Sequence, residues 1–271
     1  MQDEASAVVI TLTLLTQLLT GAVLGLIIST TGVGGGILIL PVLTWMFGMD
    51  ALSAVATANL MSMLMKLSSS WMHFRLGNIP IKLSLIVLFI MLPSTLLASY
   101  GITLLSSVDG WHDRVQWGIN GLVVIAIALS LFIFCTRMFH PDRVAAQNVN
   151  QKRSLAAFIV PGTCAGITIG ATGVGGGVVM LPLLMKYANM NIKHAIGTSV
   201  FVTMLLSGAS AFAYGQGGYT DVRLALLLSA GSILSLPLAR YLLRTVSEQA
   251  FQRLTFGFIV VSAVMMLYRM V

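Results

Sequence analysis

Charge is scarce in this sequence. Of its 271 residues only 8% are Asp, Glu, Lys or Arg, while 57% are hydrophobic and the mean hydropathy is +0.95. A soluble domain carries about 25% charged residues, so a water-facing surface cannot be built and an ordinary globular fold is excluded. Cysteine is almost absent as well. Cys135 and Cys164 both fall inside apolar stretches, which reads as buried structural thiol and implies no disulfide framework. The four histidines, His73, His112, His140 and His194, are dispersed near segment ends without metal-ligand spacing. No nucleophile with an acid–base partner and no cofactor motif appears, so the sequence reads as a non-enzyme with no cofactor. Acidic residues are missing from the interior of every apolar stretch, and Asp50, Asp109 and Asp221 lie at segment ends. The carboxylate relay of a proton-coupled carrier therefore has no obvious residue.

What the sequence does have is long uncharged runs. None of the four charged residue types occurs between Glu4 and Asp50, Lys82 and Asp109, Arg114 and Arg137, Arg153 and Lys186, or Lys193 and Asp221. About 20 apolar residues at 1.5 Å each cross a hydrocarbon core of roughly 30 Å. The runs lack period-two alternation, which argues against a β-barrel. The chain thus reads as a polytopic helical membrane protein, and its start, Met-Gln-Asp-Glu, lacks the basic region of a cleaved signal peptide. The net charge of +7 comes mostly from short loops, where Lys and Arg set orientation and do not point to nucleic acid. Trp45, Trp71, Trp111 and Trp117 fall at expected boundaries, as an aromatic belt would.

The sequence also repeats itself. Gly21, Gly25, Thr31-Gly32-Val33-Gly34-Gly35-Gly36 and Pro41 recur as Gly162, Gly166, Thr172-Gly173-Val174-Gly175-Gly176-Gly177 and Pro182, every pair offset by 141 residues. The register continues through Ala54 and Ala195, Thr57 and Thr198, Met63 and Met204, and Gly77 and Gly218. The chain therefore divides into two units, 1–139 and 154–271, joined by a loop at 140–153. Each unit contains five segments: Val8–Ile28, Ile37–Gly48, Leu52–Met72, Ile81–Leu105 and Val115–Phe139, then Leu155–Ile169, Val178–Asn189, Ala195–Tyr214, Val222–Leu243 and Ala250–Tyr268. The second segment of each has about a dozen residues, near 18 Å of helix, and cannot span. The glycine run before it costs close to 1 kcal/mol per glycine in a helix, so the backbone should open and turn there. The expected fold is all-α: two inverted repeats, each a re-entrant hairpin with a Gly-rich tip plus three spanning helices, about 8–10 membrane segments in total. With the amino terminus outside, eleven of the fifteen Lys and Arg, and the central loop, lie in the cytoplasm while six of eight acidic residues lie outside, as the positive-inside rule requires.

Inverted repeats with broken helices point to alternating access around a site at the repeat interface. The helices after the glycine runs would aim their positive ends and free N–H groups at the middle of the protein, a geometry that binds anions; close helix packing is the competing use of the glycines. Asn59, Ser62, Lys66, Ser69 and His73 recur at spacings of three and four on one helical face, matched by Val200, Thr203, Ser207, Ser210 and Tyr214. Lys66 is the one charge well inside a span, and either contacts substrate or a gate or snorkels to the nearer surface. Met61, Met63 and Met65 are spaced by two, which spreads their sulfurs around a helix and suits packing. Pro93 and Pro237 lie inside the fourth segments as kink positions.

The duplicated Gly-x-x-x-Gly and Thr-Gly-Val-Gly-Gly-Gly, with a proline five residues on, closely resembles the sulfite exporter TauE/SafE family, also called toluene sulfonate uptake permeases. The resemblance covers essentially the whole chain. It implies a bacterial inner-membrane transporter of small sulfur-containing or organic anions, with members implicated in export as well as uptake. The expected substrate contacts are Thr31, Gly32, Gly34, Gly35, Gly36, Asn59, Lys66, Thr172, Gly173, Gly175, Gly176, Gly177, Thr203 and Ser207. Export of sulfite or an organosulfonate is the leading expectation, because an inside-negative potential drives anions outward by about 2.3 kcal/mol per charge per 100 mV. Uptake of sulfonate, thiosulfate or carboxylate and a passive anion channel are the alternatives. The expected partners are the anion and the bilayer, with a homodimer left open.

Overall fold

The computed structural model describes residues 2–31, 35–139, 155–174, 179–188, 190 and 192–245, with separate positions between 256 and 268. All the secondary structure among them is helical. The first half contains α1 (Gln2–Thr31), α2 (Gly36–Trp45), α3 (Ala51–Arg75), α4 (Ile81–Ser106) and α5 (His112–Phe139). The second half begins with a 3-10 turn at Leu155–Phe158 and continues as α6 (Ile159–Thr172), α7 (Met180–Tyr187), α8 (Ile192–Gln216) and α9 (Val222–Thr245). The fifth segment of the second half, the loop at 140–153, and Gly32, Gly34, Gly175, Gly176 and Gly177 fall wholly or largely outside the described residues.

The two expected breaks are present. α1 and α6 both stop at a glycine run, and the helices after those runs, α2 and α7, have only 10 and 8 residues. They are about 15 and 12 Å long, well short of a bilayer core. α2 is apolar on all sides, and Gly36 to Pro41, Leu43 and Thr44 are buried; a helix without a polar face has to be enclosed. Among the described residues, four longer stretches are long and apolar enough to cross a membrane, at Thr11–Ile28, α3, α4 and Lys193–Gln216.

Side chains sort in the sense a bilayer demands. On α1 the exposed face is Val8, Leu12, Leu15, Leu19 and Val23, whereas Gly21, Leu24 and Gly25 are buried. On α5, Ile119, Val123, Ala126 and Ile127 face inward and Leu122, Ile125, Leu129 and Phe132 face out. Hydroxyls take the interior: Thr57, Ser62, Ser84, Thr95, Ser99, Thr198, Thr203, Ser207 and Ser210 are all buried. In lipid, small and hydroxyl residues are what let helices approach and bond one another. All four tryptophans are exposed, and Trp71 and Trp111 stack against Arg75 and Arg114 at 4.9 and 5.5 Å.

Packing between the halves is reciprocal. α1 lies along α9, α6 lies along α4, and α3 faces α8. With the 141-residue offset, the first helix of each sequence repeat packs on the fourth of the other. Gly21 and Gly25 put bare backbone on Leu228 and Ser232 of α9, and Gly166 does the same on Met91 and Ser94 of α4, so that no side chain would fit at these positions. Ser232 and Met91 are themselves 141 residues apart. Thr57 and Thr198, another matched pair, each tie a third helix to the start of the opposite fourth helix: Thr57 Oγ1 accepts from Asp221 N at 3.0 Å, and Thr198 Oγ1 lies 3.1 Å from Ser84 Oγ. Gly77 and Gly218 end α3 and α8 with φ of 68° and 75°, left-handed values that glycine adopts without strain.

α3 begins at a side-chain cap. Asp50 accepts from Ser53 N at 3.0 Å and from Gln116 Nε2, while Gln116 Oε1 accepts from Leu52 N at 3.1 Å, fastening α3 to α5. Partial desolvation pushes the Asp50 carboxyl up, but the bonds from Ser53 and Gln116 pull harder and hold it below its ordinary value of 3.8. A folded pKa below the unfolded one means that the stabilisation is complete above the unfolded pKa and is lost as pH falls through the folded one. Asp50→Asn, which can still cap, is expected to melt earlier than wild type at neutral pH in detergent, with the gap closing below about pH 4. Asp50→Ala loses the cap as well, at about 1 kcal/mol.

Candidate functional site

The two glycine loops touch. The Cα of Gly36, first residue of α2, lies against the carbonyl of Gly173 and the Cα of Val174, leaving no room for a side chain. Gly173 caps α6 in the left-handed conformation, φ 66°, with its N–H donating to Ile169 O at 2.8 Å. A broken helix in a low-dielectric interior must satisfy its loose backbone groups locally. Thr172 does part of this: its hydroxyl donates to Thr168 O at 2.6 Å and accepts from Val174 N at 3.1 Å. That proton is committed to the turn, so Thr172 shapes the loop. Thr31 closes α1 at the equivalent position.

α3 supplies the wall of the site. Asn59 is fully buried, and its amide faces the Cα of Gly173, where an added Cβ would come within 3.1 Å of Nδ2. Ser62 is buried one turn further on, and Lys66 is half-buried one turn beyond that. Among the described residues no carboxylate pairs with Lys66. Opposite, α8 presents Thr203 and Ser207, both buried. Thr203 Oγ1 donates to Ser199 O at 2.6 Å, which leaves lone pairs but no proton for a ligand.

The outer half of each polar stripe serves another purpose. Ser210 accepts from Ser99 Oγ at 2.9 Å, and Tyr214 donates its hydroxyl to Gly170 O at 2.8 Å. Thr95 donates to Gly166 O at 2.9 Å. Together α4 and α8 staple α6 through its glycine carbonyls, which are open to side-chain donors because no Cβ covers them. On α3, His73 Nδ1 lies 3.4 Å from Asn78 Nδ2 just past the helix end, away from the loops. Met61 is in the core, Met65 packs against it and Met63 lies against Gly208, so the methionines pack and do not form a ligand set.

Comparison with known proteins agrees with this architecture. The profile of the sulfite exporter TauE/SafE family matches residues 17–266. The chain belongs to this family. The resemblance read from the paired glycine motif is thereby borne out over nearly the full length. Curated relatives of this TauE/SafE chain include the probable membrane transporter protein YjnA of Bacillus subtilis, 28% identical over 250 residues that cover 90% of this chain and 96% of the relative. A second is the probable membrane transporter protein MJ0441 of Methanocaldococcus jannaschii, 27% identical over 234 residues, 80% and 82% of the two chains. No solved structure gives a significant match. Membership makes the chain a multi-pass membrane transporter, in keeping with the four spans.

Within this TauE/SafE chain, Gly35, Gly36, Asn59, Ser62, Gly173, Thr203 and Ser207 are all buried or pressed against buried groups. Sequence reading missed Thr95, Ser99 and the carbonyls of Gly166 and Gly170, although Thr95, Ser99 and Thr103 at steps of four were a visible signal of a hydroxyl face. Gly36→Ala is expected to drive a methyl into the Gly173 carbonyl and to destabilise the protein by about 1–3 kcal/mol or more. Gly118→Ala, in open space on α5, is expected to be neutral or stabilising by about 0.5–1 kcal/mol. Thermal melts of the two purified variants compare them directly.

Proposed function

We propose that the chain is a secondary transporter for small sulfur-containing anions, exporting sulfite or an organosulfonate across a bacterial inner membrane by alternating access. The observation that carries this reading is the backbone contact of Gly36 with Gly173 and Val174. Two helix breaks that meet inside a bundle concentrate backbone dipoles where no lipid reaches, and the start of α2 adds a positive helix end. Anion sites in inverted-repeat carriers are built in this way. Lys66 supplies the single formal charge, and Asn59, Ser62, Thr203 and Ser207 the polar wall. Gly32, Gly34, Gly175, Gly176 and Gly177 complete the loops in this reading, with Thr31 and Thr172 holding them.

The units at 1–139 and 154–271 are taken as inverted copies, with the amino terminus periplasmic and the 140–153 loop cytoplasmic. The reciprocal pairing of α1 with α9 and α6 with α4 supports a two-fold relation, and the distribution of Lys and Arg supports the orientation. Export runs with the membrane potential and needs no acidic relay. The family's name and the probable transporters among its relatives support the substrate class.

Purified protein in liposomes is expected to move labelled sulfite, taurine, sulfoacetate or thiosulfate with saturation and counterflow, neither of which a passive channel produces. Lys66→Ala is expected to lower that flux at least about tenfold, the loss of one charge-assisted bond. Indifference to all four anions would exclude the substrate class, and wild-type flux in Lys66→Ala would remove Lys66 from the site.

A further inference from the structure

We infer that the site is built for an anion that carries its own hydrogen-bond donor, with Asn59 Oδ1 as the acceptor that reads it. The inference rests on the transporter reading above and narrows its substrate class. Asn59 Nδ2 donates to Val55 O at 3.0 Å. This bond fixes the amide, because the flipped arrangement would set Oδ1 against the Val55 carbonyl, two acceptors face to face. Oδ1 therefore has no freedom to turn away. It is fully enclosed, and among the described residues it has no donor. Two loop amides on the Gly173 side are already engaged: Gly173 N bonds to Ile169 O at 2.8 Å and Val174 N to Thr172 Oγ1 at 3.1 Å.

One turn along α3, Ser62 Oγ is likewise buried without a partner among the described residues. Lys66 stands a turn beyond. The helix thus presents in order an acceptor, a free hydroxyl and a cation, about 4.5 and 6 Å apart along its axis. A ligand that fits this order has an anionic head toward Ser62 and Lys66 and an O–H or N–H at its other end toward Asn59. A hydroxyalkyl or aminoalkyl sulfonate meets the requirement, and hydrogen sulfite is its smallest case. An anion with acceptors only would press oxygen lone pairs or bare carbon against Oδ1 and leave that buried acceptor unpaired, the circumstance in which sites reject analogues most strongly. Position 200, the counterpart of Asn59 in the second half, is Val, so the donor-reading end exists on α3 alone and the ligand has one orientation.

Two ligands that differ by one hydroxyl test this at a single pH. Half-saturation would be measured for labelled 2-hydroxyethanesulfonate and ethanesulfonate with the full chain in liposomes. The hydroxylated anion is expected to saturate at a concentration at least about tenfold lower. In Asn59→Leu that ratio falls to near one. In Ser62→Ala both ligands weaken together and the ratio is kept, which preserves a readout if Asn59→Leu does not fold. A ratio near one in wild type, or an unchanged ratio in Asn59→Leu, overturns the inference while leaving anion transport intact. Absence of flux for sulfite and both sulfonates overturns the transport reading and takes this inference with it.

Discussion

The contact of Gly36 with the Gly173 carbonyl and Val174 is the constraint on which the rest of the arrangement depends. A bilayer offers no water to a broken helix, so loose amides and carbonyls at mid-protein must find partners in the protein or in a ligand. Bringing two breaks together withdraws both from lipid at once. It also requires that neither loop carry a side chain at the contact, that something wrap the pair, and that the turn be held. α2, buried along its length except at Val42 and Trp45, and α3 and α8, each more than half buried, do the wrapping. Thr172 holds the second turn with a hydroxyl that both donates and accepts.

From that centre the low charge of the chain acquires a structural meaning. On α1, α4 and α5 large apolar side chains occupy the exposed faces as well as the core, and the hydroxyls Ser84, Thr95 and Ser99 are turned inward beside Leu24, Met91 and Ile127, as a helix bundle requires when its solvent is lipid. The inner surfaces are held by glycine backbones in contact and by hydroxyl-to-carbonyl bonds such as Thr95 to Gly166 and Tyr214 to Gly170. Each of these contributes about 1 kcal/mol, modest individually, but α6 carries several of them on one edge.

Much of this was legible in the residues. The shortness of α2 and α7 was implied by the glycine runs, because six-residue Thr-Gly-Val-Gly-Gly-Gly segments cannot continue a helix cheaply, and the all-helical class was implied by runs of uncharged residues. The polar stripe on α3 was visible from its spacing. What spacing could not separate was the use of each polar group. Ser210 and Tyr214 look like lining residues on a helical wheel, yet they bond to α4 and α6, since a stripe of period 3.6 names a face without naming the neighbour. The hydroxyl of Thr172 is consumed by its own loop for a similar reason: local backbone partners compete for a side chain before any ligand does.

Duplicated sequence has not kept duplicated chemistry at the α3–α8 contact, and electrostatics gives the reason. The counterpart of Lys66 is Ser207, that of Asn59 is Val200 and that of His73 is Tyr214. Lysine at both 66 and 207 would set two like charges across one helix pair in a medium of low dielectric, where each would raise the cost of the other. Keeping the cation on α3 and using the matching surface of α8 for bonds to α4 and α6 avoids that cost. It also divides labour between the halves: one third helix carries an unpaired acceptor, an unpaired hydroxyl and a cation, while the other anchors α6. In the proposed reading, a site of this kind pairs two helix breaks but takes its polar side chains mainly from one helix, and a small anion bound there would have a defined orientation.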